Sequence, residues 1–485
     1  MLSALARDGR VRMRTKLTNA DFKKMARNCV FLCVFRDKQY VDLLFMVLES
    51  LYAFGNLWDG STDVLVYTNS CFADAVRESV LFSPRIKFEI NDEYCDLDEV
   101  CKARLDFFQL PSAAAYDTIL YLDTDVLIVG DINRIFAAAT QNVLYAVEQG
   151  AIDDFNVECN IDFWGKTLFE DDELRSHSDK RAFTSGMLLF RNCIQIQSLF
   201  DSIKEDMRRR THRFFDQPFI VYNTFKHGLR NIDVLGAFAE NVSYETEYAA
   251  ESFTKSICHF PGGVGNIHMK LFAINRVLNA VFDCSATRII ADAKRYFALH
   301  LMPIVLRAGV RFVDDFDDLL DAKLKCIARL LSNQRIVNIA QLGFGAGMTA
   351  LTMLLANHRL QLTCFFSEEE HTYALPCYQA LKQTFVDRID LVCEDRIETK
   401  SSFDLIHITI GDGDPAADVN RALTLSHPGS VIIVDFTSLP LGAPPPRVHP
   451  QGVERASAML SALARDPQNL HDQTPSHAQR IFYAL

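Results

Sequence analysis

The spacing of apolar positions changes period along the chain, and each change marks an element. Cys29 to Phe35 is a continuous apolar run, as expected of a strand covered on both faces. Asp37 to Gln39 break it, and Tyr40, Leu43, Leu44, Val47 and Leu51 then recur at helical spacing as far as Tyr52. Further strands are expected at 63–68, which ends at Asn69-Ser70, and at 86–90. Val100 to Leu110 reads as a helix carrying Lys102 and Arg104. Strands alternating with helices imply a parallel α/β sheet, with ligands bound at the carboxyl ends of its strands.

The next strand carries the first chemistry. Ile119, Leu120 and Leu122 run into Asp123 and Asp125, the apolar run Val126 to Val129 follows, and Gly130-Asp131 ends it. Carboxylates are depleted in strands because burial strips their water. Spacing i, i+2 puts both on one side of an extended chain, where they can share a hard cation such as Mg²⁺ or Mn²⁺. Such a cation can bridge the oxygens of a diphosphate. Asp-x-Asp also suits a turn with capping aspartates, so the motif alone leaves both readings open.

At 485 residues the chain is long enough for two or more domains. With 49% hydrophobic and 23% charged residues it has the composition of a soluble globular protein, and net charge −12 argues against nucleic-acid binding. The exception is the start, where Arg7, Arg10, Arg12, Arg14, Lys16, Lys23, Lys24 and Arg27 face only Asp8 and Asp21, as in a solvated arm. No secretory signal fits, because no apolar core follows the arginines, and Cys29 to Phe35 is too short to span a bilayer. Thirteen scattered cysteines without a Cys-x-x-Cys pair point to reduced thiols in a cytoplasmic compartment. In that setting Asn241-Val-Ser243 is a chance glycosylation triplet.

Three later stretches stand out. They are Phe183-Thr-Ser-Gly-Met187, Arg213-Phe-Phe-Asp-Gln-Pro218, and Ile257-Cys-His-Phe-Pro-Gly-Gly-Val-Gly-Asn266 with Lys270. His259 follows a short strand and precedes Gly262, Gly263 and Gly265, whose backbone N–H groups could approach phosphate oxygens.

With Tyr40, Arg104 and Tyr121-Leu-Asp-Thr-Asp125, these pieces resemble the glycogenin-like enzymes of glycosyltransferase family 8, which have the GT-A fold. The resemblance covers about residues 29 to 275. It implies that Tyr40 stacks on the nucleobase and that Asp123, Asp125 and His259 hold Mn²⁺. It also implies that Arg104 and Lys270 meet the donor sugar or its diphosphate, and that Asp216 and Gln217 line the acceptor side. Thr184 stands where relatives have Asn, which alters one donor-sugar contact, and the Gly-x-x-Lys-Pro-Trp ending around Lys270 is absent. The implied activity is transfer of a hexose from a UDP-sugar to a glycan or protein, with retention of configuration.

From Leu271 to about Leu331 the pattern is helical, with an acidic patch from Asp314 to Asp321 that reads as a solvated face. A second α/β pattern then begins. Strands are expected at 336–342, 361–366, 403–408 and 431–435, with Gly343, Gly345 and Gly347 opening a helix over 348–357 and the last residues closing the sheet. From about 335 to the end this resembles class I S-adenosylmethionine-dependent methyltransferases. Gln341, Ser367 and Thr409 stand where relatives have cofactor-binding acids, while Asp395 and Asp435 match. The resemblance therefore implies a degenerate domain, with a bifunctional enzyme that still binds S-adenosylmethionine as the alternative. A non-catalytic glycan-binding protein is the third reading.

The expected organisation is a basic arm (1–28), a GT-A domain (29–275), a helical connector (276–332) and a methyltransferase-like Rossmann domain (333–485). Met1-Leu-Ser-Ala-Leu-Ala-Arg-Asp8 recurs unchanged as Met459 to Asp466, and no function follows from the repeat.

Overall fold

A computed structural model describes residues 27–57, 61–79, 81–154, 162–242, 253–261, 267–309, 318–332, 336–366, 371–393, 402–409, 415–435, 470–472 and 479–484. The basic arm up to Ala26, Gly262, Gly263, Gly265, Asp314, Ser367, Asp395 and both copies of the octapeptide lie outside these residues.

The first sheet has seven strands. They are β1 (Asn28–Val34), β2 (Thr62–Thr68), β3 (Ile86–Ile90), β4 (Thr118–Leu122), β6 (Leu144–Ala151), β7 (Arg181–Arg191) and β8 (Arg230–Asn231). Their order is β3-β2-β1-β4-β7-β6-β8. The first four are parallel, as their alternation with helices implied, and β7 runs antiparallel to both β4 and β6, which makes the whole sheet mixed. The first strands are parallel because helices such as Lys38–Phe54 and Ser70–Arg77 cross over between them. Every residue of β2 and of β4 is buried, which matches the apolar runs Val64 to Tyr67 and Ile119 to Leu122, and buried Asp63 of β2 is paired with Arg27 and Arg85. On one face Phe31, Phe107, Phe190 and Phe200 make a chain of edge-to-face ring contacts at 5.2–5.7 Å. The stretch expected as one helix over Val100 to Leu110 is a short α-helix, Leu97–Lys102, that tightens into a 3₁₀ segment, Ala103–Gln109. The tightening lets Leu105 and Phe107 both reach the core.

A second, three-stranded sheet is laid across the end of the first. In it β5 (Val126–Ile128) and β9 (Ala239–Asn241) flank β10 (Ile257–His259). It is pinned to the helix Lys38–Phe54 by buried Ser50, whose hydroxyl accepts from Ile128 N–H at 3.1 Å.

The connector begins as one helix of 30 residues, Ile267–Tyr296. Its buried stripe (Ile274, Val277, Leu278, Phe282, Ala286, Ile290, Ala293) recurs every three or four residues. Ile274 to Phe282 pack in a core with Leu43, Leu127 and Phe260, and Ala293 packs with the second α/β unit. From the acidic patch, Asp321 pairs with Lys294 at 2.5 Å, tying the helix Asp318–Ser332 to the long one.

The second α/β unit has seven strands: β11 (Asn338–Leu342), β12 (Gln361–Phe366), β13 (Ile389–Cys393), β14 (Phe403–Thr409), β15 (Ser426–Asp435), β16 (Leu470–Asp472) and β17 (Gln479–Ala484). Their order is β13-β12-β11-β14-β15-β17-β16, parallel except at β17, which runs antiparallel to both its neighbours. Gly343, Gly345 and Gly347 all take positive φ in the turn between β11 and the helix Met348–Ala356. That turn sits beside the reversal of strand order, between β11 and β14.

His407 lies in the middle of this sheet, fully buried, and neither ring nitrogen has a hydrogen-bond partner. Burial pushes its pKa down to about 4, only partly opposed by Asp435. Because the folded value lies below the unfolded one, the neutral ring supports the fold above about pH 6.5, and that support is lost as pH falls towards 4. Full protonation should cost about 3 kcal/mol. Urea unfolding at pH 7.5 and at pH 4.5 should therefore show a smaller acid loss in His407→Leu than in the parent. Equal losses would remove His407 as a cause of acid sensitivity.

Candidate functional site

The site forms where β4 ends and the small sheet begins. Asp123 follows the last residue of β4, and the chain crosses to β5 through Thr124 and Asp125. Strand pairing brings in the histidine, because β10 sets His259 opposite Val126 of β5 and opposite Asn241 of β9. Phe260 N–H donates to Asp125 C=O at 2.9 Å, which fixes the register beside the carboxylate. As a result one oxygen each of Asp123 and Asp125 and a ring nitrogen of His259 all lie within 4.8 Å of one another.

Three observations show that this cluster fits a divalent cation. Asp125 Oδ1 is buried without a hydrogen-bond partner, and His259 Nε2 faces it at 3.5 Å. The other ring nitrogen, Nδ1, donates to Asn241 Oδ1 at 2.8 Å, which leaves the Nε2 lone pair free for a metal. Asn241 is itself held by Gln149, whose Oε1 accepts from its amide at 3.2 Å. Finally, Gly186 leaves the space open: a Cβ there would stand 2.5 Å from His259 Nε2 and 3.0 Å from Asp123 Oδ2. Asp123 is tied to the same glycine, since its N–H donates to Gly186 C=O at 2.8 Å.

Two cations border the cluster. Lys270, in the first turn of the long helix, reaches Asp125 Oδ2 at 2.5 Å. Burial works to raise the Asp125 pKa, but Lys270 overcomes it and holds the carboxyl well below the usual range. The same contact raises Lys270, although burial opposes it. Arg104 lies on the other side, with Nη2 3.3 Å from Asp123 Oδ1, Nε 2.9 Å from Asp216 Oδ2, and Nη1 donating to Ser185 C=O at 2.6 Å. Its guanidinium also lies over the Tyr121 ring at 4.8 Å, and the Tyr121 hydroxyl donates to Asp123 Oδ1. Burial disfavours the Arg104 charge, yet Asp123 and Asp216 hold its pKa above the ordinary arginine value. Asp216 shares one guanidinium with Asp123, and burial pushes its pKa up to about 6.

Gln217 sits beside Asp216 and ties two segments together. Its Oε1 accepts from Ser185 N–H at 3.3 Å and from the Ser185 hydroxyl at 3.2 Å, while Nε2 donates to Phe163 C=O at 3.2 Å. Thr184 is turned to the backbone, its Oγ1 accepting from Gly186 N–H at 3.4 Å. Tyr40 is 41% exposed on the helix Lys38–Phe54, and burial raises its pKa while nearby Lys270 opposes the rise. Its neighbour Gln39 meets His268, on the same turn as Lys270, at 3.1 Å. The structure thus brings Tyr40, Arg104, Asp123, Asp125, Asp216, Gln217, His259 and Lys270 into one region. Gly343, Gly345 and Gly347 belong to the second unit.

Sequence reasoning did not single out Gly186 or Asn241. Gly186 was visible as part of Phe183-Thr-Ser-Gly-Met187, but its role depends on a close approach from β10. Asn241 stood in a triplet read as chance, and its contact to His259 comes from strand pairing across 18 positions.

No curated protein matches the chain. Among solved structures, it is similar to a putative O-methyltransferase from Klebsiella pneumoniae at 18% identity, over 38% of this chain and 87% of that one, with TM-score 0.28. The SAH-bound methyltransferase from Podospora anserina aligns at 16% identity, over 41% of this chain and 95% of that one, with TM-score 0.29. For an O-methyltransferase from Bacillus cereus in complex with SAH the figures are 18%, 41%, 90% and 0.28. The segment that holds Arg104, Asp123, Asp125, Thr184, Asp216 and Gln217, residues 100–233, matches the model of glycosyl transferase family 8.

Proposed function

We propose that the protein transfers a hexose from a UDP-sugar to a glycan or protein acceptor, with retention of configuration, using Mn²⁺ or Mg²⁺ held by Asp123, Asp125 and His259. The supporting observation is the convergence of these three groups on a space that Gly186 keeps open, next to a segment of family 8 type. Residues 1–28 are assigned as an arm, 29–275 as the catalytic domain, 276–332 as the connector and 333–485 as a methyltransferase-like domain.

Cleaving the sugar–phosphate bond builds negative charge on the leaving diphosphate and positive charge at the anomeric carbon. A bound divalent cation supplies charge neutralisation at the diphosphate. Lys270, anchored on Asp125, adds a second positive charge beside the same carboxylate. Arg104 is fixed at three points, on Asp123, Asp216 and Ser185, so it meets the donor sugar without a reorganisation cost. Tyr40 is the residue assigned to stack on the nucleobase, a role supported by its partial exposure near Lys270. Asp216 and Gln217 lie beyond Arg104, on the acceptor side.

The second unit is assigned a structural or positioning role. Gln341, at a position where an acid would hold the cofactor, instead donates to its own turn at Gly343 C=O, at 3.0 Å. Asp435, at the end of β15, is already engaged by buried Lys323 at 2.5 Å.

Asp125→Asn removes a charged ligand and keeps the shape. Release of UDP from a panel of UDP-hexoses with Mn²⁺ should fall at least about a hundredfold. A rate near the parent's would mean that the cation site lies elsewhere.

Asn241→Leu frees the His259 ring from its hydrogen bond. Calorimetric titration with Mn²⁺ in the presence of UDP should give an affinity about tenfold or more below the parent's, with the fold intact by circular dichroism. An unchanged affinity would reduce Asn241 to a packing residue.

For the second unit, each lost hydrogen bond to a charged acceptor should weaken S-adenosylmethionine by about 2 kcal/mol, or more than tenfold. Titration of the intact chain should therefore show no tight binding. A low-micromolar dissociation constant, with methyl transfer to a glycoside, would make the protein bifunctional.

A further inference from the structure

Beyond Gln217 lies a feature that no step above uses. Phe163 and Phe214 are stacked with ring centroids 4.3 Å apart and planes tilted by 35°, and Phe163 remains 44% exposed. Large aromatic side chains usually bury their faces, so an exposed ring held in place against a half-buried one is unusual on a surface.

The pair is held by a buried network. Asp162, 5% exposed, accepts from Lys166 N–H at 2.8 Å, Thr167 N–H at 2.9 Å and the Thr167 hydroxyl at 2.7 Å. Its Oδ2 also meets His212 Nε2 at 3.3 Å, and His212 Nδ1 accepts from Phe214 N–H at 3.2 Å. The residue before Phe163 and the residue two before Phe214 are therefore locked to each other. Phe215 then takes φ +53°, a left-handed conformation that costs a non-glycine residue about 1 kcal/mol. This turn separates Phe214, on the exposed stack, from Asp216, buried on Arg104.

The platform is joined to the cation cluster through few links. Phe163 C=O accepts from Gln217, Gln217 accepts from Ser185, and Gly186 abuts His259 and Asp123. Arg213 borders the stack, its guanidinium 5.7 Å from the Phe214 ring. A pyranose ring suits such a surface, because it offers a flat C–H face to an aromatic ring and hydroxyls to the polar groups around it. We infer that Phe163 and Phe214 form the acceptor subsite, a platform on which a pyranose of a glycan acceptor stacks next to Asp216 and Gln217. This inference rests on the glycosyltransferase reading and narrows its acceptor to a carbohydrate.

The test uses the full chain with maltotriose, cellobiose and lactose as probes, observed by saturation-transfer NMR, beside Phe163→Ala and Phe214→Ala. UDP plus Mn²⁺ binding is followed in parallel as a thermal shift. At least one probe should bind the parent through its ring C–H protons, and each variant should weaken that binding at least tenfold while the UDP shift stays unchanged. Binding of none of the probes, or binding equal in the variants, would overturn the platform. So would Phe163-dependent transfer to a peptide with no response to the saccharides. A saccharide signal lost in the variants, without any UDP shift in the parent, would sustain the platform and overturn the transferase reading. Because Phe163 is exposed, its truncation leaves the Asp162 network intact, and circular dichroism checks the fold of both variants.

Discussion

The constraint on which the first unit depends is the cost of holding Asp125 away from water. A carboxylate that is 9% exposed must be compensated, and the chain supplies Lys270 from a helix 145 positions later, while His259 comes up to its other oxygen from a strand 134 positions later. One carboxylate thus ties together β5, β10 and the long helix. Lys270 satisfies Oδ2, while Oδ1 is left facing the Nε2 of His259 across a gap. An unsatisfied buried oxygen costs on the order of 1–3 kcal/mol, and two lone-pair atoms facing each other repel. The arrangement becomes favourable when a cation lies between them, which is why the cluster reads as a site rather than as a packing accident.

Much of the fold was legible because burial leaves a direct mark on composition. The covered middles of β1, β2 and β4 are apolar runs (Cys29 to Leu32, Val64 to Tyr67, Ile119 to Leu122), and the glycines after β11 mark a turn with positive φ. The antiparallel insertion of β7 was not legible, because strand direction is set by tertiary connection rather than by local pattern. The split of the expected helix at Ala103 was missed for a similar reason, since a 3₁₀ segment has nearly helical spacing. Within the site, the residue types that hold charge or metal could be proposed from their motifs. Their supports could not. Asn241 reaches His259 only because β9 and β10 pair in register, and Gly186 matters only because β10 passes within 3 Å of where a Cβ would be.

Arg104 illustrates how a buried network sets distinct roles for similar groups. It serves two carboxylates at once, and they differ in surroundings. Asp123 is also bonded by the Tyr121 hydroxyl and is 30% exposed at its side chain, whereas Asp216 is nearly enclosed and has its pKa pushed up to about 6. The same guanidinium therefore stabilises one charge near the cation cluster and one at the head of the helix Gln217–His227. Replacing it by lysine would lose the fork geometry that reaches both.

The long helix links the site to the second unit in a mechanical sense. Lys270 lies in its first turn, and Ala293 near its last turn is buried in the core that holds β11, β14 and β15. A straight helix turns as a rigid body, so its buried stripe must be satisfied at both ends in one rotational setting. Arg329, from the helix Asp318–Ser332, strengthens that setting by lying over Phe282 at 4.8 Å and meeting Glu49 at 3.6 Å. Glu49 belongs to the helix Lys38–Phe54, which also carries Tyr40. The connector helix Asp318–Ser332 thus packs against both helices that bring side chains to the candidate donor site. These contacts hold the helices that carry Lys270 and Tyr40, and rigidity there is what a preorganised charge site needs.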